Sequence, residues 1–349
     1  MALYSQNMLE IALELAAHDH NYADMALKFF QHFVWIASAM DRVGDNQDEM
    51  WDEEDGFFYD VLRQPDGSAQ RLKVRSMVGL LPLCATTVLT PETLEAIPEV
   101  RALSRWFVEK RPELVANIHH PGLPGYKDRR LLAILDEKKL RRVLSYLLDE
   151  NEFLSPFGIR SLSRYHAGHP FVFHAGGQEH RVDYLPAEPN TGMFGGNSNW
   201  RGPVWMPVNA LIIRALLNFY IYYGNDFTVE CPTGSGKLKT LYQIAGEITN
   251  RLSNIFLRDD KGQRPVYGGS TKFQDDPHWR DHVLFYEYFH GDNGAGLGAS
   301  HQTGWTGVVA GLMHLFASVD AATILERGRR AVILTRQPRK QGVRPRVKV

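Results

Sequence analysis

Cysteine is scarce: only Cys84 and Cys231 occur in 349 residues. A small secreted scaffold stapled by disulfides carries more, so a reducing, cytoplasmic setting is expected. Long apolar runs are missing too, and none approaches the length needed to span a bilayer. The first residues lack a basic stretch, and Glu10 and Glu14 interrupt their apolar pattern, unlike a secretory signal. Charge of one sign is also lacking. The 39 Lys and Arg against 40 Asp and Glu leave a net charge of -1, whereas nucleic-acid binding calls for a basic stripe. Neither nucleic acid nor a membrane is expected as partner.

Several catalytic signatures are absent as well. No Gly-x-Ser-x-Gly elbow and no Cys–His pattern mark an acyl-transfer nucleophile. Gly234-Ser235-Gly236-Lys237 imitates the end of a phosphate loop. However, Pro232 stands where a Gly is required and no Ser or Thr follows the Lys; a helix N-terminus is enough to explain the run. His278 and His282 are four apart, as on a zinc helix, but the Glu that follows the first His in such motifs is missing. No metal and no cofactor is expected.

Helical periodicity is abundant. Apolar residues recur every three or four positions from Tyr22 to Met40, from Val208 to Tyr223, from Leu238 to Ile255 and from Val308 to Leu315. Further helices are expected at 3–18, 73–83 and 137–149. Another starts at Thr90-Pro91, where Thr caps and Pro takes the first helical position, and Pro98 should break or restart it. Strand signals are few: residues 57–62 and 71–76 flank Asp66-Gly67, a hairpin turn. With no repeat and no linker, residues 1–330 read as one all-α domain with short hairpins in its loops. After Glu326 only basic charges appear, and residues 331–349 read as a solvated, disordered tail.

The connections at 44–72, 111–128, 151–206 and 258–303 are long and rich in aromatics, among them Trp51, Tyr165, Trp200, Trp205, Trp279 and Trp305. Long ordered loops in a compact domain are usually functional. Aromatic loops on a helical scaffold suit a groove for sugars, whose C–H faces stack on rings while their hydroxyls seek polar side chains. The alternative is that each ring only pins its loop to the core.

Two segments stand out. Residues 195–205, Gly-Gly-Asn-Ser-Asn-Trp-Arg-Gly-Pro-Val-Trp, precede an amphipathic helix, and Arg201 sits between Trp200 and Trp205. A guanidinium fork holds two hydroxyls well, so these three residues are candidate sugar contacts. In residues 285–307 a single carboxylate, Glu287, lies among Phe285, Tyr286, Tyr288 and Phe289, followed by a glycine-rich loop and Trp305. An aromatic setting excludes water and raises a carboxyl pKa, as an acid/base role requires. The competing reading makes Glu287 a surface residue or the partner of a nearby Arg.

These segments, with Met50–Asp60, Val74–Pro82, Gly158–His166, Asn197–Trp205, Phe285–Tyr288 and Thr303–Thr306, resemble glycoside hydrolase family 63 and its bacterial relatives, the mannosylglycerate-hydrolase-like enzymes and processing α-glucosidases. The resemblance runs to about residue 330. It implies an (α/α)6 toroid, a carbohydrate substrate, and inverting hydrolysis of an α-glucoside or α-mannoside by two carboxylates, with Glu287 as general base. The family's general acid is an Asp upstream of the segment that resembles residues 1–18. None is therefore assigned here, and the resemblance implies a toroid incomplete at its N-terminus, completed by a preceding part of the same polypeptide. An internal acid would be Asp52, Asp60 or Glu188. Two other functions share such a scaffold: a sugar epimerase, which would place His301 and a second His at the groove floor with Glu287 turned away, and a non-catalytic carbohydrate-binding protein.

Overall fold

The computed structural model describes residues 1–41, 49–190 and 200–331. The basic tail from 332 onward and the Asn197–Asn199 part of the tryptophan motif lie outside them. Seven helices of 11 residues or more occur among the described residues: α1 (Ala2–Ala16), α2 (Ala23–Asp41), α3 (Pro98–Lys110), α4 (Glu137–Leu147), α5 (Met206–Tyr223), α6 (Leu241–Asn254) and α7 (Val308–Ser318).

Local signals explain their ends. Thr90 caps a short helix at Pro91–Ala96, and Pro98, which has no N–H to continue it, opens α3 instead. Asp136 accepts from the Lys139 N–H at 2.8 Å to start α4. Thr240 and Gln243 form a reciprocal capping box on α6.

Helix α5 is the centre of the array. Twelve of its 18 residues are buried, on every side of the helix, as befits a core helix surrounded by partners. It packs against α6, α7 and a strand pair, β3 (Thr86–Leu89) with β4 (Arg130–Ala133). Within it, the Asn218 amide donates to the Thr86 carbonyl at 2.9 Å, satisfying a buried polar group. Helices α1 and α2 pack together through Leu9, Ala12, Leu13 and Ala16 on one side and Ala26, Phe30 and Phe33 on the other.

The helical character and the hairpin β1 (Asp60–Arg63) with β2 (Ala69–Leu72) agree with the sequence reading. Three features differ. The helix expected over 73–83 is replaced by two 3₁₀ turns, Met77–Gly79 and Leu81–Cys84. Here the backbone bonds elsewhere, the Met77 N–H to Ser161 and the Arg75 carbonyl to the Ser163 N–H, and Pro82 lacks a donor. The pair β3–β4 joins segments about forty residues apart, which no local pattern announces. Gly234–Lys237 is the turn of a ribbon, Thr228–Glu230 with Leu238–Thr240, rather than a helix N-terminus.

The described residues form a helical array with small antiparallel sheets and no closed barrel. One face of α1 is left uncovered: Tyr4, Ile11 and Leu15 are 60%, 53% and 41% exposed. Positions 4, 11 and 15 share one stripe of a helix, opposite the buried stripe, so α1 carries apolar residues on two sides.

Candidate active site

The site is built at the N-terminal end of α5, where three chain segments lie side by side. The Ser161 N–H donates to the Pro203 carbonyl at 2.9 Å, and Val204 and Phe289 exchange both backbone bonds, at 2.8 and 3.0 Å. The hairpin β5 (Tyr288–Phe289) with β6 (Gly296–Leu297) extends this layer. Val204 and Phe289 are fully buried beneath it, and Phe256 meets Phe289 edge-on at 5.5 Å. Glu287 therefore projects from a residue next to a fixed strand. It is half-buried, and its Oε2 accepts from the Ala299 N–H at 3.3 Å.

Aromatic rings stack beside this segment. Trp205, only 4% exposed, stacks on Trp200 at 5.0 Å and on Tyr288 at 4.8 Å, and meets Trp305 edge-on at 6.3 Å. Trp200 and Trp305 stay exposed, and the Trp305 indole N–H donates to the Glu287 carbonyl at 3.1 Å. Gly298, at φ +70°, closes the wall. A Cβ there would stand 2.8 Å from Glu287 Oε2 and 2.7 Å from Tyr288 Cε1, so both the backbone conformation and the close approach call for glycine.

Arg201 differs from the sequence expectation. Trp200 turns outward and Arg201 inward, where it is 3% exposed and its Nη2 donates to the Arg181 carbonyl at 3.4 Å. Burial lowers its pKa, with nearby Asp183 acting in the opposite direction. A guanidinium so placed is turned away from solvent and bonds the backbone at Arg181. Gly291 and Gly202 allow this packing, because a Cβ on Gly291 would stand 2.5 Å from the Gly202 carbonyl oxygen.

A second brace carries no motif of its own. Arg160, 2% exposed, donates to the Leu154 carbonyl at 2.8 Å, to the Tyr184 hydroxyl at 3.0 Å and to Asp292 Oδ1 at 3.1 Å. The Tyr184 hydroxyl in turn donates to Asp292 at 2.8 Å. Burial pushes the Tyr184 pKa up, so the phenol keeps its proton at neutral pH. The cluster ties the turn of the Glu287 hairpin to the 158–163 segment. The Gly-Asp-Asn run and the lone Arg of Gly158–Ser163 were its only visible signals.

The three candidate internal acids separate by position. Asp52 is 4% exposed and bonded to Arg71 and Lys73, each at 3.0 Å. Burial works to raise its pKa, but the Asp55 N–H, Lys73 and Arg71 outweigh it and hold the carboxyl below its usual range. Asp60 belongs to the rim of a separate apolar cavity of about 440 Å³, with Met1, Ile36 and Leu211. Glu188 alone meets the Glu287 wall, accepting from the Tyr288 hydroxyl at 2.8 Å.

The His301 backbone pairs with Phe285. His290 accepts from the Asp292 and Asn293 N–H groups through Nδ1. Burial lowers its pKa, with nearby Asp292 acting to raise it.

Comparison with known sequences adds to this geometry. The profile of the mannosylglycerate hydrolase MGH1-like glycoside hydrolase domain matches residues 130–306, which span α4, α5, α6 and the whole Glu287 hairpin. The uncharacterized protein YMR196W of Saccharomyces cerevisiae is 47% identical over 324 residues, covering 89% of this chain and 30% of that protein. A probable mannosyl-oligosaccharide glucosidase of Schizosaccharomyces pombe is 27% identical over 56% of this chain and 18% of its own length. The mannosyl-oligosaccharide glucosidase of Saccharomyces cerevisiae is 26% identical over 51% and 15%. The chain thus spans less than a third of the length of these relatives.

Proposed function

Since this chain belongs to the mannosylglycerate hydrolase MGH1-like glycoside hydrolase family, we propose that it carries the base side of an inverting α-glycosidase, acting on an α-glucoside or α-mannoside in an oligosaccharide or small glycoside. The observation that supports this most is Glu287 itself. It is a half-buried carboxylate that accepts from the Ala299 N–H, its own carbonyl accepts from the exposed Trp305 ring, and the family resemblance implies a general base in this Phe-Tyr-Glu-Tyr segment.

In this reading a sugar ring rests on Trp200. Glu287 takes a proton from a water molecule on the far side of the anomeric carbon. As the O–H bond of that water breaks, its oxygen bonds to carbon and the glycosidic C–O bond opens. A second carboxylic acid gives its proton to the departing oxygen. The two carboxyl groups of such a pair stand roughly 6.5–9.5 Å apart to admit the water. We assign the acid to polypeptide outside this chain, as the family resemblance implies. The uncovered apolar face of α1 supports that assignment, because further helices of the same protein would cover it. Asp52, held anionic by two cations, is a poor proton donor.

The test is to assay this chain and an upstream-extended polypeptide on α-glucosides and α-mannosides, reading the anomer of the first product by NMR. Hydrolysis by the longer polypeptide with inversion is expected. Retention of configuration, or no turnover by either, would defeat the proposal.

A further inference from the structure

We propose that a cavity between α3 and β4, walled by three arginines, binds a small organic phosphate monoester. The site is separate from the Glu287 segment and does not depend on the carbohydrate reading.

The cavity, of about 200 Å³, is lined by Arg101, Ser104 and Arg105 of α3 and by Arg130 of β4. Positions 101, 104 and 105 share one face of a helix, because steps of three and four residues stack. The sequence of α3 thus sets two guanidiniums and a hydroxyl side by side. Like charges four apart oppose a helix. Glu109 stands four residues beyond Arg105, the spacing of a helical ion pair, yet the two form none and Arg105 lines the cavity. Half-buried Arg130 comes from the other wall, with its Nη1 donating to the Asp128 carbonyl at 2.7 Å. Among the described residues no acidic side chain lines the cavity, and none forms an ion pair with any of the three arginines. Three positive charges around one cavity repel one another, and a bound anion reverses that repulsion.

The donors select the ligand. A guanidinium is a planar fork that matches the oxygens of a phosphate or a carboxylate. A phosphate monoester brings nearly two negative charges at neutral pH and three acceptor oxygens. It therefore suits three guanidiniums and a serine hydroxyl better than a carboxylate, with one charge and two oxygens. The floor of the cavity is apolar: Phe30, Leu89 and Leu132 line it and are buried. That surface receives the carbon body of an ester, which inorganic phosphate lacks. The volume falls below the roughly 300–1,000 Å³ of sites for drug-sized ligands, so the body is short.

The cavity also lies far from the Glu287 segment. Arg129, next to Arg130, donates to the Ile221 carbonyl in the last turn of α5 at 3.0 Å. The Glu287 segment sits at the opposite, N-terminal end of that helix, and from Met206 to Ile221 the helix rises about 22 Å. A ligand on the arginines leaves the Glu287 wall open.

The experiment titrates α-glycerophosphate, inorganic phosphate and glycerol into this chain by isothermal calorimetry, with amide NMR locating the bound molecule. The ester should bind more tightly than inorganic phosphate, glycerol should not bind, and added salt should weaken the ester. Arg101→Gln combined with Arg105→Gln, both on an exposed helix face, should weaken the ester by at least about tenfold, the loss of a hydrogen bond between charged groups. Arg258→Gln, which removes the same charge at a distant turn, should leave its affinity unchanged. No binding of the ester at millimolar concentration would overturn the proposal. So would binding that the double variant leaves unchanged, or that Arg258→Gln weakens equally. Inorganic phosphate binding as tightly as the ester would refute the role of the apolar floor.

Discussion

Replacing Tyr184 with Phe tests how the Glu287 hairpin is held. The ring and its packing stay, and only the hydroxyl is lost. That hydroxyl accepts from buried Arg160 at 3.0 Å and donates to Asp292 at 2.8 Å. Each hydrogen bond to a charged group contributes about 1.5–3 kcal/mol. The Asp292 side chain is 38% exposed, so water replaces most of its share. Arg160 is 2% exposed, and its Nε keeps the desolvation cost with its partner gone. A net loss of about 2–3 kcal/mol follows. Because the bonds join the turn at 290–295 to the 158–163 segment, opening should be local. The amides of Val204 and Phe289, which pair across that layer, should exchange with solvent on the order of 30–100 times faster, by the tenfold per 1.4 kcal/mol rule. Urea unfolding with hydrogen exchange read by mass spectrometry measures both. A stability change below about 0.5 kcal/mol, the range of an ordinary surface substitution, with unchanged exchange at these two amides, would refute the bracing role.

Two other outcomes are expected. His119 is buried against the Tyr222 hydroxyl at 3.0 Å, and burial pushes its pKa from 6.5 down to about 4. The unfolded chain therefore binds a proton between those values that the folded chain refuses. Stability is full above about pH 6.5 and falls by about 3 kcal/mol as pH drops to about 4; in His119→Gln, which does not titrate, urea midpoints at pH 7 and 5 should differ less. On α1, Ile11→Lys and Leu15→Glu should leave this chain folded and more soluble but destabilise an upstream-extended polypeptide, since covering each large apolar side chain stabilises by about 1.5–3 kcal/mol; equal melting of the extended wild type and variants would show the face to be uncovered there as well.

Most helices were legible because their information is local. The apolar period of Val208–Tyr223 and the Thr90-Pro91 and Pro98 signals specify elements without any distant partner. The failures share the opposite property. Residues 73–83 have helical composition, yet Met77 and Arg75 bond to Ser161 and Ser163, about eighty positions away. Thr86–Leu89 becomes a strand only because Arg130–Ala133 lies beside it.

At the site, Glu287 and the tryptophans were marked by unusual clustering. The inward turn of Arg201 was not, because an alternating loop leaves open which neighbour faces the groove. The Arg160–Tyr184–Asp292 brace and the Tyr288–Glu188 bond draw on three and two separate segments, and no single stretch of sequence carries them.

The central claim is that Glu287 activates water. In an upstream-extended polypeptide, Glu287→Gln keeps the shape of the side chain and the bond from the Ala299 N–H while removing its basicity. Positioned base catalysis contributes about 10²–10⁴-fold. Turnover of the preferred α-glycoside should therefore fall by at least about a hundredfold while the ligand still binds. Near-normal turnover by a folded Glu287→Gln protein would contradict the account.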